Sequence, residues 1–376
     1  MDKKNLEIQS LRGYAIILTV VAHFGTLLPQ LNPYLSYFWL GGGVDLFFCI
    51  SGFVIASILL VKSKDDFFEL SIPFFIKRIY RLWPAAFFWS FVVLFFSLVF
   101  NNSGAFSTFE NNFIVAISGW FQVVNFKIVS CAYYSFTECS GGSPLRLYWS
   151  LSLEEQFYFI FPALLYFLGN KKVAVLALVF FVGQFFLYRP WPSPLWFFRT
   201  DAICLGILIA WFQLQGYSKF VCPVILEKKV WRSVCSFSLL ASLFMVAKSE
   251  VVWFYNGLVV LVAGGLVFIA SFGKGYFLND GLMRRALVFI GDRSYSIYLT
   301  HMVSFVFVKE LFYRFELHSR EGYWAICLAV TSLVCILIFS EFSYRIIEQP
   351  LRRKGRLIAN EKKVEIQAYN NVKSDS

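Results

Sequence analysis

Leu11-Arg-Gly-Tyr-Ala-Ile-Ile-Leu-Thr-Val-Val-Ala-His23 is the stretch on which the reading of this chain turns: an arginine opens an apolar run, and a histidine interrupts it eleven positions later. At about 1.5 Å of helical rise per residue, His23 falls about 16 Å from Arg12, near the middle of a hydrocarbon layer about 30 Å thick. An ionisable ring at that depth is costly unless a partner or a water-filled cavity receives it, so the position reads as functional. A neutral histidine hydrogen-bonded between packed helices is the competing reading.

The rest of the composition agrees with a membrane setting. The 376 residues are 58% hydrophobic and 15% charged, where soluble domains carry about 25% charged residues. The expected fold is therefore all-α and polytopic. Apolar runs suggest about ten spans, near 13–30, 44–61, 79–100, 149–168, 173–188, 195–213, 232–247, 251–271, 286–308 and 323–342. The run 111–126 is apolar too, but Asn111, Asn112, Gln122 and Asn125 suit a re-entrant or interfacial segment better than a span. No cleavage site follows Thr26-Leu-Leu-Pro29, so the first helix is expected to stay.

The net charge of +11 follows the membrane rather than nucleic acid, which is not an expected partner. With a cytosolic N-terminus, 25 of the 34 Lys and Arg residues fall on one side, from Lys3 and Lys4 through Lys77, Arg78 and Arg81 to the tail from Arg345 onward. The positive-inside rule then puts both termini in the cytosol, with the surplus charge beside an anionic leaflet. The eight cysteines lack metal-ligand spacing, and no metal is expected. Cys131 and Cys139 share the external segment 101–148, where a bridge between them is possible on an oxidising side.

Taken in order, the polar residues in or beside apolar runs are few enough to weigh singly. Asp45 opens the second span, where a helix cap is its plainest role and an acceptor-side contact the weaker alternative. Arg78 and Arg81, three apart, share a helix face and suit bidentate binding of phosphate oxygens, or else they simply anchor a cytosolic loop. Trp149-Ser-Leu-Ser-Leu-Glu-Glu-Gln-Phe-Tyr158 carries Glu154 and Glu155 into the apolar layer. These point apart on a helix, Glu155 sharing a face with Ser152 and Glu154 with Tyr158. One acid for chemistry and one for structure is expected, without deciding which. Depth arithmetic brings Glu155 near His23 if spans one and four are neighbours, an arrangement suited to proton abstraction from a hydroxyl. Arg199 and Asp201 read as a structural pair. His301 is a second buried histidine, either packing or lining a donor path, whereas His318 carries no proposed role. The final helix is expected to stop before Pro350, and the tail beyond Arg356 to be disordered.

With those residues in hand, the chain resembles acyltransferase family 3, the integral-membrane O-acyltransferases that include O-antigen and exopolysaccharide O-acetylases. The resemblance rests on Leu11-Arg12-Gly13 with His23, Gly43 to Gly52, Arg78-x-x-Arg81 before Pro84, Trp149 to Tyr158, Ser294 to His301, and Tyr344 to Pro350. It implies a transmembrane acyltransferase domain, expected over 1–356, in a bacterial inner (plasma) membrane; the composition of 357–376 adds the expectation of a polar cytosolic tail and no appended soluble domain of the kind that some family members carry. It also implies acetyl-CoA or another acyl-CoA as co-substrate with no bound cofactor, a carbohydrate or lipid-linked saccharide as acceptor, and essential roles for Arg12 and His23. The sites expected are therefore His23, Arg12, Glu154 and Glu155 for catalysis and Arg78, Arg81 and His301 for the donor. Asp45, Ser152, Tyr158, Arg199 and Asp201 are expected on the acceptor side or in structure. A sugar-lipid transporter or flippase, whose buried charges line a path without acyl chemistry, is the rival reading. A polysaccharide polymerase is a third, and fits less well because segment 101–148 holds only Lys127 and Arg146 as basic residues.

Overall fold

The structure is a computed structural model that describes residues 5–35, 37–38, 40–60, 67–134, 142–190, 193–245, 252–317 and 323–374. Asn5 starts the first helix, α1 (Leu6–Leu27), its side-chain oxygen accepting from the backbone N–H of Glu7 at 2.9 Å and of Ile8 at 3.2 Å. That satisfies two donors which a helix start leaves open. There follow α2 (Asn32–Leu35), α3 (Gly42–Leu59), α4 (Phe67–Val99), α5 (Phe109–Trp120), α6 (Val124–Tyr134), α7 (Tyr148–Phe185) and α8 (Asp201–Leu214). The order closes with α9 (Lys229–Met245), α10 (Tyr255–Ser271), α11 (Leu282–Asp292), α12 (Ser294–Arg314), α13 (Trp324–Phe342) and α14 (Gln349–Ser374). Among the described residues there is no strand, and six helical segments are long and apolar enough to cross a membrane. The chain is thus a helical membrane protein.

α3 is the hub, in contact with α1, α7, α8 and α10. Glycines permit the closest crossings. A Cβ on Gly52 of α3 would lie 2.2 Å from the Ile203 carbonyl oxygen, and one on Gly206 of α8 would lie 2.2 Å from that of Cys49. Likewise α11 crosses α1 where a Cβ on Gly13 would sit 2.1 Å from the Leu287 oxygen. Small residues at such crossings let backbones touch where lipid offers no hydrophobic drive.

Two expectations change here and one holds. The run 286–308 is not one helix: it divides at Arg293 between α11, laid across α1, and α12. The runs 149–168 and 173–188 do fall on two helical stretches, because α7 is broken between them at Gly169 (φ 77°, ψ 167°), a conformation that favours glycine. Pro350 does not end the last helix, because the π-helical turn Ser343–Glu348 precedes it and the helix resumes as α14. A π-turn shifts the backbone pairing to i→i+5, which accommodates a residue without an N–H.

The tail is a further correction, since α14 is helical to Ser374. It packs along α4: Gly355 meets the Tyr80 ring, Ala359 is buried, and Glu69 accepts from Gln367 at 2.6 Å and pairs with Lys363 at 3.7 Å. A helix polar by composition is thus ordered by one docked face. Gly355→Leu, whose side chain would collide with Tyr80, is expected to cost about 1–3 kcal/mol of docking and to expose 357–374 to protease while the apolar helices stay folded. Unchanged cleavage kinetics would count against this docking.

Segment 109–134 forms two short helices, α5 and α6, joined at Gln122 (φ 57°). Of the polar residues that argued against a span, Asn125 and the Gln122 backbone fasten the segment to α7, whereas Asn111 and Asn112 bond to Ser107 and to the Phe106 carbonyl. Gln156 donates to the Gln122 carbonyl at 2.7 Å and exchanges hydrogen bonds with Asn125 at 2.9 and 3.1 Å, while the Val124 N–H donates to Ser152 at 3.3 Å. Cys131 is disulfide-bonded; Cys139 and His318 lie outside the described residues.

Candidate active site

Two cavities share the core. The first is lined by Arg12, Arg78, Arg81, Glu154, Tyr158 and Tyr295, among others. α1 supplies Arg12, α4 the other two arginines, α7 the acid and its tyrosine, and α12 Tyr295. Glu154 accepts hydrogen bonds from Ser51 and Tyr158. The Arg78 guanidinium lies over the rings of Tyr158 (4.9 Å) and Phe74 (5.4 Å), a stacking that leaves its in-plane N–H groups for other partners. Three guanidinium groups against one lining carboxylate make this an anion-attracting chamber.

The second cavity is the larger of the two and has His23, Thr26, Trp149, Arg199 and Lys309 among its walls. His23 is half-buried, and its Nδ1 lies 2.7 Å from the Thr19 carbonyl oxygen. A carbonyl only accepts, so Nδ1 carries the proton and Nε2 presents its lone pair. Eleven residues at 100° each return to within about 20° of the starting direction, so Arg12 and His23 share one face of α1, about three turns apart. Each faces its own chamber. Val44 and Tyr298 line both, and the Tyr298 hydroxyl, 2.6 Å from Ser150 Oγ and 2.7 Å from the Leu147 carbonyl, is fixed at this partition.

Several expected placements change. Among the described residues α7 packs mainly on α8 and also on α3, facing α1 across the first cavity, and Glu155 lines neither cavity. It lies instead against Trp83 Nε1 at 3.4 Å. The depth arithmetic took the start of α7 as the outer surface, whereas the α5–α6 hairpin covers that start. Glu154, not Glu155, therefore enters a cavity, and it is the one with the arginines. Ser152 is buried beneath α6 as an acceptor for backbone. Asp45 caps nothing; it is buried against Arg199 at 3.3 Å. Asp201 pairs not with Arg199 but with Arg189, through Nη1 to Oδ1 at 2.9 Å and Nη2 to Oδ2 at 2.5 Å. His301 lines neither cavity. It is fully buried behind His23, ring centroids 5.2 Å apart, with Nδ1 at 2.8 Å from the Tyr298 carbonyl.

The sequence reading gave no role to Tyr295, Tyr298, Arg146, Arg189 or Lys309. A signal existed for α12: Tyr295, Tyr298 and His301 recur every three residues and so share a face directed at the core. None existed for Arg189, which sits in an irregular stretch before Pro190.

A family model described as an acyltransferase domain matches residues 5–341. Among curated proteins, O-acetyltransferase OatA of Staphylococcus aureus (strain NCTC 8325 / PS 47) is 28% identical over 371 residues, covering 93% of this chain and 57% of the relative. SACOL0978 of Staphylococcus aureus (strain COL) is 29% identical over 366 residues, covering 90% and 57%. The chain thus spans a little over half the length of these relatives. No solved structure matches it.

Proposed function

The chain belongs to acyltransferase family 3, and from that membership we propose that it transfers an acetyl or short acyl group from an acyl-CoA to a hydroxyl of a surface or lipid-linked saccharide. In this reading ten crossings leave both termini in the cytosol of a bacterial cell, the chain sits in the inner membrane, the arginine chamber faces inward and the His23 chamber outward. One observation carries it: a single helix face presents Arg12 to an anion-attracting chamber and a basic imidazole nitrogen to a second one, with Val44 and Tyr298 alone shared between them among the described residues.

The chemistry follows from those parts. Arg78 and Arg81 offer in-plane N–H pairs to the donor's phosphates, and Arg12 adds positive charge deeper in the chamber. The acceptor hydroxyl gives its proton to His23 Nε2 while its oxygen bonds the thioester carbonyl carbon. The C–S bond then breaks, and the departing thiolate takes up a proton. Alternatively, Nε2 itself bonds the acyl carbon, releases the thiolate, and yields the acyl group to the hydroxyl in a second step. In both routes the acyl group passes Tyr298, which must swing out of its hydrogen bonds.

The test is acetyl-CoA consumption by the purified chain in nanodiscs with a saccharide extract as acceptor. Labelled product in the saccharide supports transfer, and a flippase would leave acetyl-CoA intact. Arg78→Ala and Arg81→Ala are each expected to raise the KM for acetyl-CoA about tenfold or more, as for a lost charge-assisted hydrogen bond, with kcat changed only a few-fold. An unchanged KM in both variants would remove them from the donor site.

A further inference from the structure

The walls of the His23 chamber are electrically one-sided. Arg146, Arg199 and Lys309 line it, and among the described residues no Asp or Glu does. Arg199 is the most informative of the three. It is 1% exposed, its guanidinium carbon lies 3.9 Å from the Trp196 ring centroid and 5.6 Å from that of Trp149, and Asp45 stands behind it. Yet its Nη1 has no hydrogen-bond partner. A buried guanidinium N–H without an acceptor, on a residue that lines the cavity, is hydrogen-bonding capacity that the surrounding protein leaves unused.

The other two cations are not neutralised by lining carboxylates. Lys309 donates to the Thr26 carbonyl, and an ammonium has three donors, so two remain. Thr26 and His23 lie three residues apart on α1 and line the same chamber as Lys309. Arg146 stands in the short helical turn Pro144–Leu147 just ahead of α7. The Trp149 ring, also on the wall, offers an apolar surface of the sort that sugar rings pack against.

We propose that the acceptor is an anionic saccharide, bearing a carboxylate or phosphate on or beside the sugar to be acylated, held by the positive wall of Arg146, Lys309 and Arg199 so that its hydroxyl meets His23. This rests on the acyl-transfer reading above and narrows it: a neutral glycan would leave the site's positive charge unmatched.

The full chain in zwitterionic nanodiscs tests this without knowledge of the natural acceptor. Diethyl pyrocarbonate modifies accessible histidines, and mass spectrometry follows the rate at His23. Three probes compete with the reagent: methyl glucuronide, glucose 1-phosphate and neutral methyl glucoside. At least one anion is expected to protect His23 at a concentration about tenfold below that needed for the glucoside, and which anion does so separates carboxylate from phosphate. Arg146→Gln with Lys309→Gln should raise that concentration about tenfold and leave the glucoside's unchanged; Lys309→Gln alone should raise it about threefold, which guards against a double variant that folds poorly. Equal protection by all three probes, no protection by either anion, full protection in both variants, or a His23 that resists the reagent would each overturn the proposal. Acetyl-CoA consumption in the same preparation is scored separately. Its absence would defeat the acyl-transfer reading and leave the anion result standing on its own.

Discussion

His23→Ala is expected to lower acyl transfer by about 10²–10⁴-fold, the range that a positioned general base contributes, while the KM for acetyl-CoA stays within about twofold. The two halves of this expectation have separate structural causes. The imidazole stands in one chamber with Nδ1–H on the Thr19 carbonyl, so truncation removes the Nε2 lone pair and nothing that holds the donor. The arginines stand in the other chamber, Arg12 about three helical turns away along α1. A loss of kcat with constant KM is the signature of an interaction made only on the way to the transition state. A rise in the donor's KM that accounts for the whole loss would mean that His23 serves binding, and would sink the assignment. The same variant separates the two routes. Acid quenching of the parent with labelled acyl-CoA traps label on His23 if the imidazole carries the acyl group, and traps none if it only moves the proton. His301→Gln should be milder than His23→Ala, because His301 touches neither cavity and acts only through the ring it packs against. Rescue by the amide, which can still donate to the Tyr298 carbonyl, would identify His301 as a positioning residue.

What could be read from the sequence was local. The apolar runs fall on helices because hydrophobic length is a property of consecutive residues. Arg12, His23, Arg78, Arg81 and Glu154 stood out because charge in an apolar run is costly wherever the helix sits. What failed was pairing in space. Nothing in the spacing of Arg199 and Asp201 says that each reaches past its neighbour, one to Asp45 on α3 and the other to Arg189. The convergence of His23 with Glu155 assumed that α1 touches α7, whereas α3 lies against both. The disorder expected beyond Arg356 failed for the same reason. A polar composition describes the solvent face of α14, and only the presence of Tyr80 and Glu69 on α4 turns the other face into a packed one. Glu154 and Glu155 show the limit most sharply: helical geometry separates them, but only the covering hairpin decides that Glu154 turns into a cavity.

Asp201→Ala is expected to destabilise the protein by about 3–5 kcal/mol, the cost of stranding a buried charge. That is a large part of the roughly 5–15 kcal/mol by which folded proteins are stable. Arg189 is 1% exposed and Asp201 fully buried, and they join by two parallel hydrogen bonds of 2.9 and 2.5 Å. Around them the segment is tied at several points. Gln184 accepts from the backbone N–H of Thr200 at 2.9 Å and of Asp201 at 3.2 Å, and Asn256 donates to the Arg189 carbonyl at 2.9 Å. With the carboxylate gone, the guanidinium has no route to water that does not pull apart the junction of α7, α8 and α10. The consequence reaches the His23 chamber, because Arg199 lines it two residues before Asp201. The variant should therefore melt at a markedly lower temperature in detergent and also lose acceptor-side function. The double variant Arg189→Met with Asp201→Leu removes both charges and keeps the bulk, so it should regain most of the stability. If Asp201→Ala instead melts within a degree of the parent, the pair is not buried as described, and the placement of Arg199 that depends on this junction falls with it.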